Sequence, residues 1–321
     1  MDKKNYEPAS GIMFKYQKKH SASEVGIAFN IIKKKYLNAI EYRGVINVSR
    51  GILTLLALIC LVMMTSAVHI LLPIGGKRGF SLFDFVMDSC FVLAMAAFTV
   101  YFVVKCVRME LFRPEDEPVI FDRANRSVYR IFREIQPGWR GLFKPWPVRI
   151  KQYNWDLVNA EHHAAINANA ATISRIHTLV FVVRASSTNP GIVDGFTLGN
   201  SLQMGETTVS AMYEHIRRFM EEGGAHLPSG ETLAENITST SLIDCMVRMG
   251  PYGKTLKFWW EHLPVLTILG FIFFPLIFPL LTLLGLFSWL SYATAKPVRW
   301  PESVLTAVGT PLGDPSDCTA F

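Results

Sequence analysis

Long apolar runs and one alternating stretch divide the chain. Residues 51–73, "GILTLLALICLVMMTSAVHILLP", contain no Asp, Glu, Lys or Arg. As a helix rising about 1.5 Å per residue, this run is long enough to cross a ~30 Å hydrocarbon core. Residues 86–107 form a second run, with Asp88 near its start and Lys105 near its end, where side chains reach headgroups. The short loop "IGGKRGFSLFDF" makes the pair a helical hairpin. His69, near the end of the first run, reads as an interfacial histidine rather than a functional intramembrane one. A third apolar region, 263–294, carries Pro275 and Pro279 at its centre, where proline kinks or breaks a helix. It is too long for one straight span and too short for two. One tilted, kinked span and a tight re-entrant hairpin both fit. Lys296 and Arg299 directly after it favour the hairpin. Trp259 and Trp260 mark its entry, and Trp289 and Tyr292 its exit, at the level where amphipathic rings settle.

Between 109 and 225 the period falls to two. "PVIFD" and "SVYRIFREI" flank "RANR" as a β-hairpin, with Val128, Arg130 and Phe132 on one face and Tyr129 and Ile131 on the other. "PVRIKQYN", "WDLVNAEHHAAI", "ATISRIHTLVFVVRAS" and "GIVDGFTLGN" continue as strands, and "STNPG" is a turn between the last two. The period then becomes helical in "TTVSAMYEHIRRFMEEGG". Val209, Met212, Ile216, Phe219 and Met220 share one face; Glu214, Arg217, Arg218, Glu221 and Glu222 share the other. Thr207 or Thr208 can cap its start and Gly223 can end it. The apolar face reads as a lid over a sheet core. Antiparallel strands closed by one amphipathic helix follow the order of a pleckstrin-homology-like (PH-like) barrel. Upstream, "SEVGIAFNIIKKKYLNAI" puts Val25, Phe29, Ile32 and Tyr36 at helical spacing beside three Lys. It reads as a helix lying on the membrane surface or packed on the middle domain. "INVSR" at 46–50 reads alternatively as a short strand.

Composition supports the mixture. Half of the 321 residues are hydrophobic, mean hydropathy is +0.26 and 18% are charged, which suits a few spans joined to a soluble core. The net charge of +6 acts first as a topology signal. Lys33, Lys34, Lys35, Arg43 and Arg50 precede the first span; Lys105, Arg108, Arg113, Arg123 and Arg126 follow the second; the connecting loop has Lys77 and Arg78. The positive-inside rule therefore places the N-terminus and the middle domain in the cytoplasm. Cys60, Cys90, Cys106, Cys245 and Cys318 form no CxxC pair, which fits a reducing compartment.

The expected fold is thus an α+β membrane protein in six parts. These are a basic N-terminal region (1–50), a transmembrane hairpin (51–108), a β-rich PH-like domain with its closing helix (109–225), a connector (226–262), a transmembrane or re-entrant segment (263–294) and a tail (295–321). "VIFDRANRSVYRIF", "WDLV", "YEHIRRFMEEG" and "PVRWPESV", with the spans between them, resemble an uncharacterised family of proteobacterial membrane proteins. Some of its members are encoded beside type VI secretion effector genes. The resemblance implies an immunity or accessory protein and supplies no catalytic residues.

Candidate chemistry is sparse. No GxSxG, P-loop, HExxH or GxGxxG pattern occurs, so no catalytic residue and no cofactor is expected. His162 and His163 are neighbours on a strand and face opposite sides, so they do not make a metal site even with His177 on the next strand. Asp122 reads as a turn-starting residue that holds the backbone of its turn. The dense basic positions are candidates for a lipid or partner surface, above all Arg123, Arg126, Arg130, Arg133 and Lys151. No stacking aromatics stand out among these basic positions, which argues against nucleic acid. "NIT" at Asn236 and "CTAF" at Cys318 are chance matches in a bacterial chain. The leading expectation is a non-enzymatic inner-membrane protein that binds a protein partner, such as a secretion effector. The alternatives are a surface sensor of anionic lipid headgroups and an oligomeric transporter or channel component.

Overall fold

The computed structural model describes residues 11–44, 50–74, 82–168, 173–186, 191–199, 204–234, 241–247, 251–253 and 256–312. Its chain begins with β1 (Gly11–Lys15), β2 (Ile32–Lys35) and β3 (Ala39–Tyr42). Two long helices follow, α1 (Ile52–Ile74) and α2 (Leu82–Glu110). Next come β4 (Val119–Asp122), β5 (Ser127–Arg133), the single turn α3 (Arg140–Phe143) and β6 (Val148–Asn154). β7 (Val158–Ala168), β8 (Ile173–Arg184) and β9 (Ile192–Leu198) precede α4 (Glu206–Arg217). The last elements are α5 (Leu242–Val247), α6 (Leu256–His262), α7 (Pro264–Ile272), α8 (Phe274–Ala293) and α9 (Glu302–Val308).

The strands form two antiparallel sheets, ordered β2-β3-β4-β5-β6 and β1-β7-β8-β9. Pairing of β3 with β4 joins segments on either side of the helical hairpin, with Ile40 opposite Phe121. The hairpin is therefore an insertion within one sheet. This differs from the expected helix around residues 24–40. Phe29 and Asn30 adopt φ of 56° and 53°, which breaks any helix there. Backbone N–H groups of Ala28, Phe29 and Asn30 all donate to the Glu231 carboxylate, at 2.8, 3.1 and 2.9 Å. Residues 45–49, most of the alternative strand, lie outside the described residues.

One core fills the space between the sheets and α4. Phe121, Trp155, Phe181, Met212 and Phe219 are buried in it, each worth roughly 1.5–3 kcal/mol of transfer free energy. All five apolar positions expected on the helix face are buried, and Gly223 ends the helix at φ 68° after a π turn at Arg218–Glu222. The start is Gly205, whose N–H donates to Thr208 Oγ1 at 2.6 Å. The expected polar face is partly buried. Glu214 is inaccessible and accepts from Ala22 N, Ser21 Oγ, Arg217 and Arg218. A second core lies on the opposite face of the five-stranded sheet, where Val304 and Val308 of α9 cover Tyr36, Ala39, Ile120 and Tyr129. Residues 295–312, expected as a tail, are thus part of the domain. Burial on both faces explains why β4 reads as an unbroken apolar run.

The helix ends meet at the edge of this domain. Gly51 N, Leu53 N and Thr54 N, in the first turn of α1, donate to the Glu110 carboxylate at 3.0, 2.9 and 3.0 Å. Ser291 Oγ, near the end of α8, donates to Glu110 O at 2.8 Å. Gly51 takes φ 95°, and a Cβ there would sit 2.6 Å from Ser288 N. On α8, Gly285 lets Met246 of α5 approach, where a Cβ would stand 2.3 Å from its Cγ. α7 and α8 are separated only by Phe273, and Pro264 and Pro275 sit in their first turns. They pack little on each other, so the third apolar region is a kinked rod rather than a folded-back pair. Its end still returns to the sheet domain, because Lys296 N donates to Arg113 O and Glu115 N donates to Lys296 O. Phe85–Glu110 and Phe274–Ala293 are long and apolar enough to cross a membrane, and only 11% and 17% of their most apolar windows are buried.

Replacing Glu110 with Ala orphans the first N–H groups of α1. We expect a loss of about 1–3 kcal/mol, read as a lower denaturant midpoint of the purified chain in detergent, with a smaller loss for Glu110→Gln, which keeps one acceptor oxygen.

Candidate anion-binding cleft at the helix–sheet junction

The five basic residues singled out by sequence do not converge. Arg123 donates to Asn38 Oδ1 and Leu37 O and covers the Phe219 ring. Arg126, in the hairpin turn with φ 44°, pairs with Asp156 at 2.6 Å and Glu221 at 3.2 Å. Arg130 donates to Gly195 O at 3.2 Å and lies against the rings of Phe132 and Phe196. Lys151 ion-pairs with Asp194 across from β6 to β9. Arg133 stacks over Trp146, and its Nε is buried without a hydrogen bond among the described residues. Burial, then Arg113 and Arg108 nearby, pushes its pKa below the ordinary guanidinium value. Asp122 behaves as a turn residue. It accepts from Ala124 N at 3.0 Å and Asn125 N at 3.2 Å.

A different basic site forms where the helices meet the sheet. A cleft of about 570 Å³ is lined by Lys33, Lys34, Arg43, Arg50, Arg113, Arg130 and Arg299, set against Glu41, Glu115, Asp116 and Glu117. Seven basic against four acidic side chains leaves the lining net positive. The acids are also partly engaged. Asp116 Oδ1 accepts from Gly44 N and Glu117 N, both at 2.8 Å, and Glu41 accepts from Tyr36 Oη at 3.0 Å and Trp300 Nε1 at 3.2 Å.

Arg50 is the central group. It is the residue before Gly51 and is only 7% exposed. Its Nη2 donates to Pro114 O at 2.9 Å and Glu115 O at 3.0 Å, and its guanidinium lies 4.6 Å from the centre of the Tyr292 ring. Its Nη1 is buried with no hydrogen-bond partner among the described residues. Burial pushes the Arg50 pKa below its ordinary value, yet an arginine stays charged. A buried cation with an unmet donor, at the wall of a positive cleft, suits a phosphate or carboxylate oxygen.

The other expected positions are spread out. Tyr292 sits beneath Arg50, and Trp289, also near the end of α8, is 39% exposed. Trp260 in α6 is 56% exposed, and Trp259 beside it is half-buried. The side chain of His69 lies outside the described residues. His162 Nε2 and His177 Nδ1 are 2.9 Å apart, and His163 instead meets Glu161 at 2.9 Å, as strand alternation requires. Among the described residues no group of three His, Cys, Asp or Glu side chains is placed to hold a metal ion. Sequence reading missed Arg50 as a site residue. Its only local signal was position, one residue before a span.

His162 and His215 are both buried, and burial holds both pKa values below the ordinary 6.5. Between about pH 7 and 5 the unfolded chain gains protons at these positions that the folded chain refuses, so stability falls as pH falls. Glu214, whose pKa is lowered to about 2 against burial by Arg217 and its other donors, loses its contribution only as pH drops below about 4.5. Denaturant midpoints at pH 7 and pH 5 should differ, and His162→Gln should reduce the difference; an equal difference in the variant would assign the slope elsewhere.

No curated protein and no solved structure matches the chain. A family model matches residues 96–309, from the middle of α2 to the end of α9, which takes in Arg113, Arg130 and Arg299 of the cleft but not Lys33, Arg43 or Arg50. The chain belongs to that family, DUF6708, a family of unknown function.

Proposed function

We propose that this is a non-enzymatic, membrane-anchored binding protein whose junction cleft takes a phosphate-bearing anion at the membrane surface. In this reading α1, α2 and α8 lie in the bilayer of a bacterial inner membrane and the sheet domain lies against its cytoplasmic face. The support for anchoring is apolar surface. Two helices long enough to span are left largely uncovered by protein, and such surface is costly in water. Orientation follows charge. Arg50, Arg108 and Arg113 gather at the domain end of the helices, whereas the loop at the other end has Lys77 and Arg78. The sheet order, with a helix after the last strand over the core, supports a PH-like domain widened by β2 and β3.

The observation that carries the ligand is Arg50, a nearly buried guanidinium at the cleft wall whose Nη1 has no hydrogen-bond partner among the described residues. On that reading the cleft, at the start of α1, lies at headgroup level, where anionic lipid phosphates are concentrated. Titrating the detergent-solubilised full chain with glycerol phosphate and with inorganic phosphate should show saturable binding. Arg50→Gln should weaken it about 10-fold or more, since a charge-assisted hydrogen bond is worth about 1.5–3 kcal/mol. Arg299→Gln, on the exposed rim, keeps the fold and should weaken binding less. Equal binding by wild type and Arg50→Gln would overturn the site.

A further inference from the structure

We propose that the β5–β6 connector, residues 134–147, is a membrane-inserting foot that places Trp139 and Phe143 in the lipid interface beside α2. The proposal rests on the reading of α2 as a membrane span. The connector, "EIQPGWRGLFKPWP", buries one of its aromatic residues, Trp146, and leaves the other two outside. Trp139 is 69% exposed and Phe143 is 84% exposed, four residues apart across the single turn of α3. Ile135 is exposed beside them. A water-facing loop has no reason to hold such a group, whereas the membrane interface favours rings with one polar edge.

Their depth is fixed by contact with α2. The Trp139 ring lies 5.2 Å from the Tyr101 ring. Tyr101 precedes Glu110 by nine residues, which is about 14 Å along the helix axis. The connector is also fastened at that level. The Arg108 guanidinium donates to Leu142 O, and to Lys144 O at 2.7 Å. Trp146 Nε1 donates to Gly141 O at 3.1 Å, and the Trp146 ring receives both Arg108 and Arg133 on its faces. The loop is thus held rigidly along the helix.

The occupant is the bilayer, for two reasons. First, the exposed aromatics continue the uncovered face of α2 that Tyr101 shares, where Phe91 and Phe98 are 60% and 62% exposed. Second, exposed Arg140, Lys144 and Arg149 surround them, the charge pattern that suits anionic headgroups around a shallow apolar insertion. The sequence hid this feature because α3 is one turn long and its apolar residues have no period.

The test uses the full chain in liposomes, with its native cysteines replaced and one cysteine bearing a polarity-sensitive dye. The dye is placed at Phe143, at Phe98 in α2 as a lipid reference, or at Leu37, 67% exposed in the β2–β3 turn, as a water reference. Phe143→Cys should emit at shorter wavelength than Leu37→Cys, lose intensity with spin-labelled lipid and resist iodide. Iodide quenching at Phe143 equal to that at Leu37, with Phe98 still quenched by lipid, would overturn the foot and leave the membrane reading intact. Shielding at Phe143 from both quenchers would also overturn it and assign the surface to a second copy or another protein. Iodide quenching at Phe98 would overturn the membrane reading, and the foot with it.

Discussion

The carboxylate of Glu110 closes the base of the helical hairpin, and the rest of the architecture depends on that closure. The chain leaves the sheet at β3, runs through two long helices and must return as β4, roughly 5 Å away. A sheet tolerates such an insertion only if its two ends are held together. Glu110 does this from the last residue of α2 by accepting the N–H groups of the first turn of α1. These are donors that a helix start leaves unmet, and buried at the hairpin base they have no water to turn to. Ser291 adds the end of α8 to the same residue.

The two proposed functional features are built onto that closure. Arg50 adjoins Gly51, so the contact that starts α1 also buries its guanidinium at the cleft wall. Arg108, on the same last stretch of α2 as Glu110, reaches out to hold the β5–β6 connector. Arg113, just beyond the end of α2, and Tyr292, in the last turn of α8, line the same cleft. Cleft and clamp are therefore one structural unit at one height, and the connector runs from it along α2. In a membrane that height is the interface, where apolar surface and phosphate oxygen are both within reach.

The sequence revealed features whose cause is local and concealed those whose cause is distant. The apolar runs, the turn around Asp122 and the apolar face of α4 could each be read from neighbouring residues. β2 and β3 could not, because β3 joins the sheet through β4, on the far side of the inserted hairpin. Val25, Phe29, Ile32 and Tyr36 happen to fall at helical spacing; Ile32 and Tyr36 are buried through sheet packing, whereas Val25 is exposed. α9 was hidden for the same reason: it covers residues from three distant strands. Glu214 looked like a surface position, yet hydrogen bonds from a segment almost two hundred residues away allow it to be buried. The Arg-rich stretch shows the opposite case. Dense in sequence, its residues separate onto different acidic, carbonyl and aromatic partners; of the five singled out Arg130 alone lines the cleft, whose other charges come from residues 33–50, 113–117 and 299. The expected secretion-linked partner rests on the resemblance alone.

The central claim is that β3 and β4 are neighbours in one sheet although the helical hairpin lies between them. Hydrogen–deuterium exchange of the full chain in lipid nanodiscs tests it directly. Amides of residues 39–42 should exchange as slowly as those of 119–122, because each pairs with the other. Rapid exchange in 39–42 beside slow exchange in 119–133 would contradict the account and separate the N-terminal region from the domain.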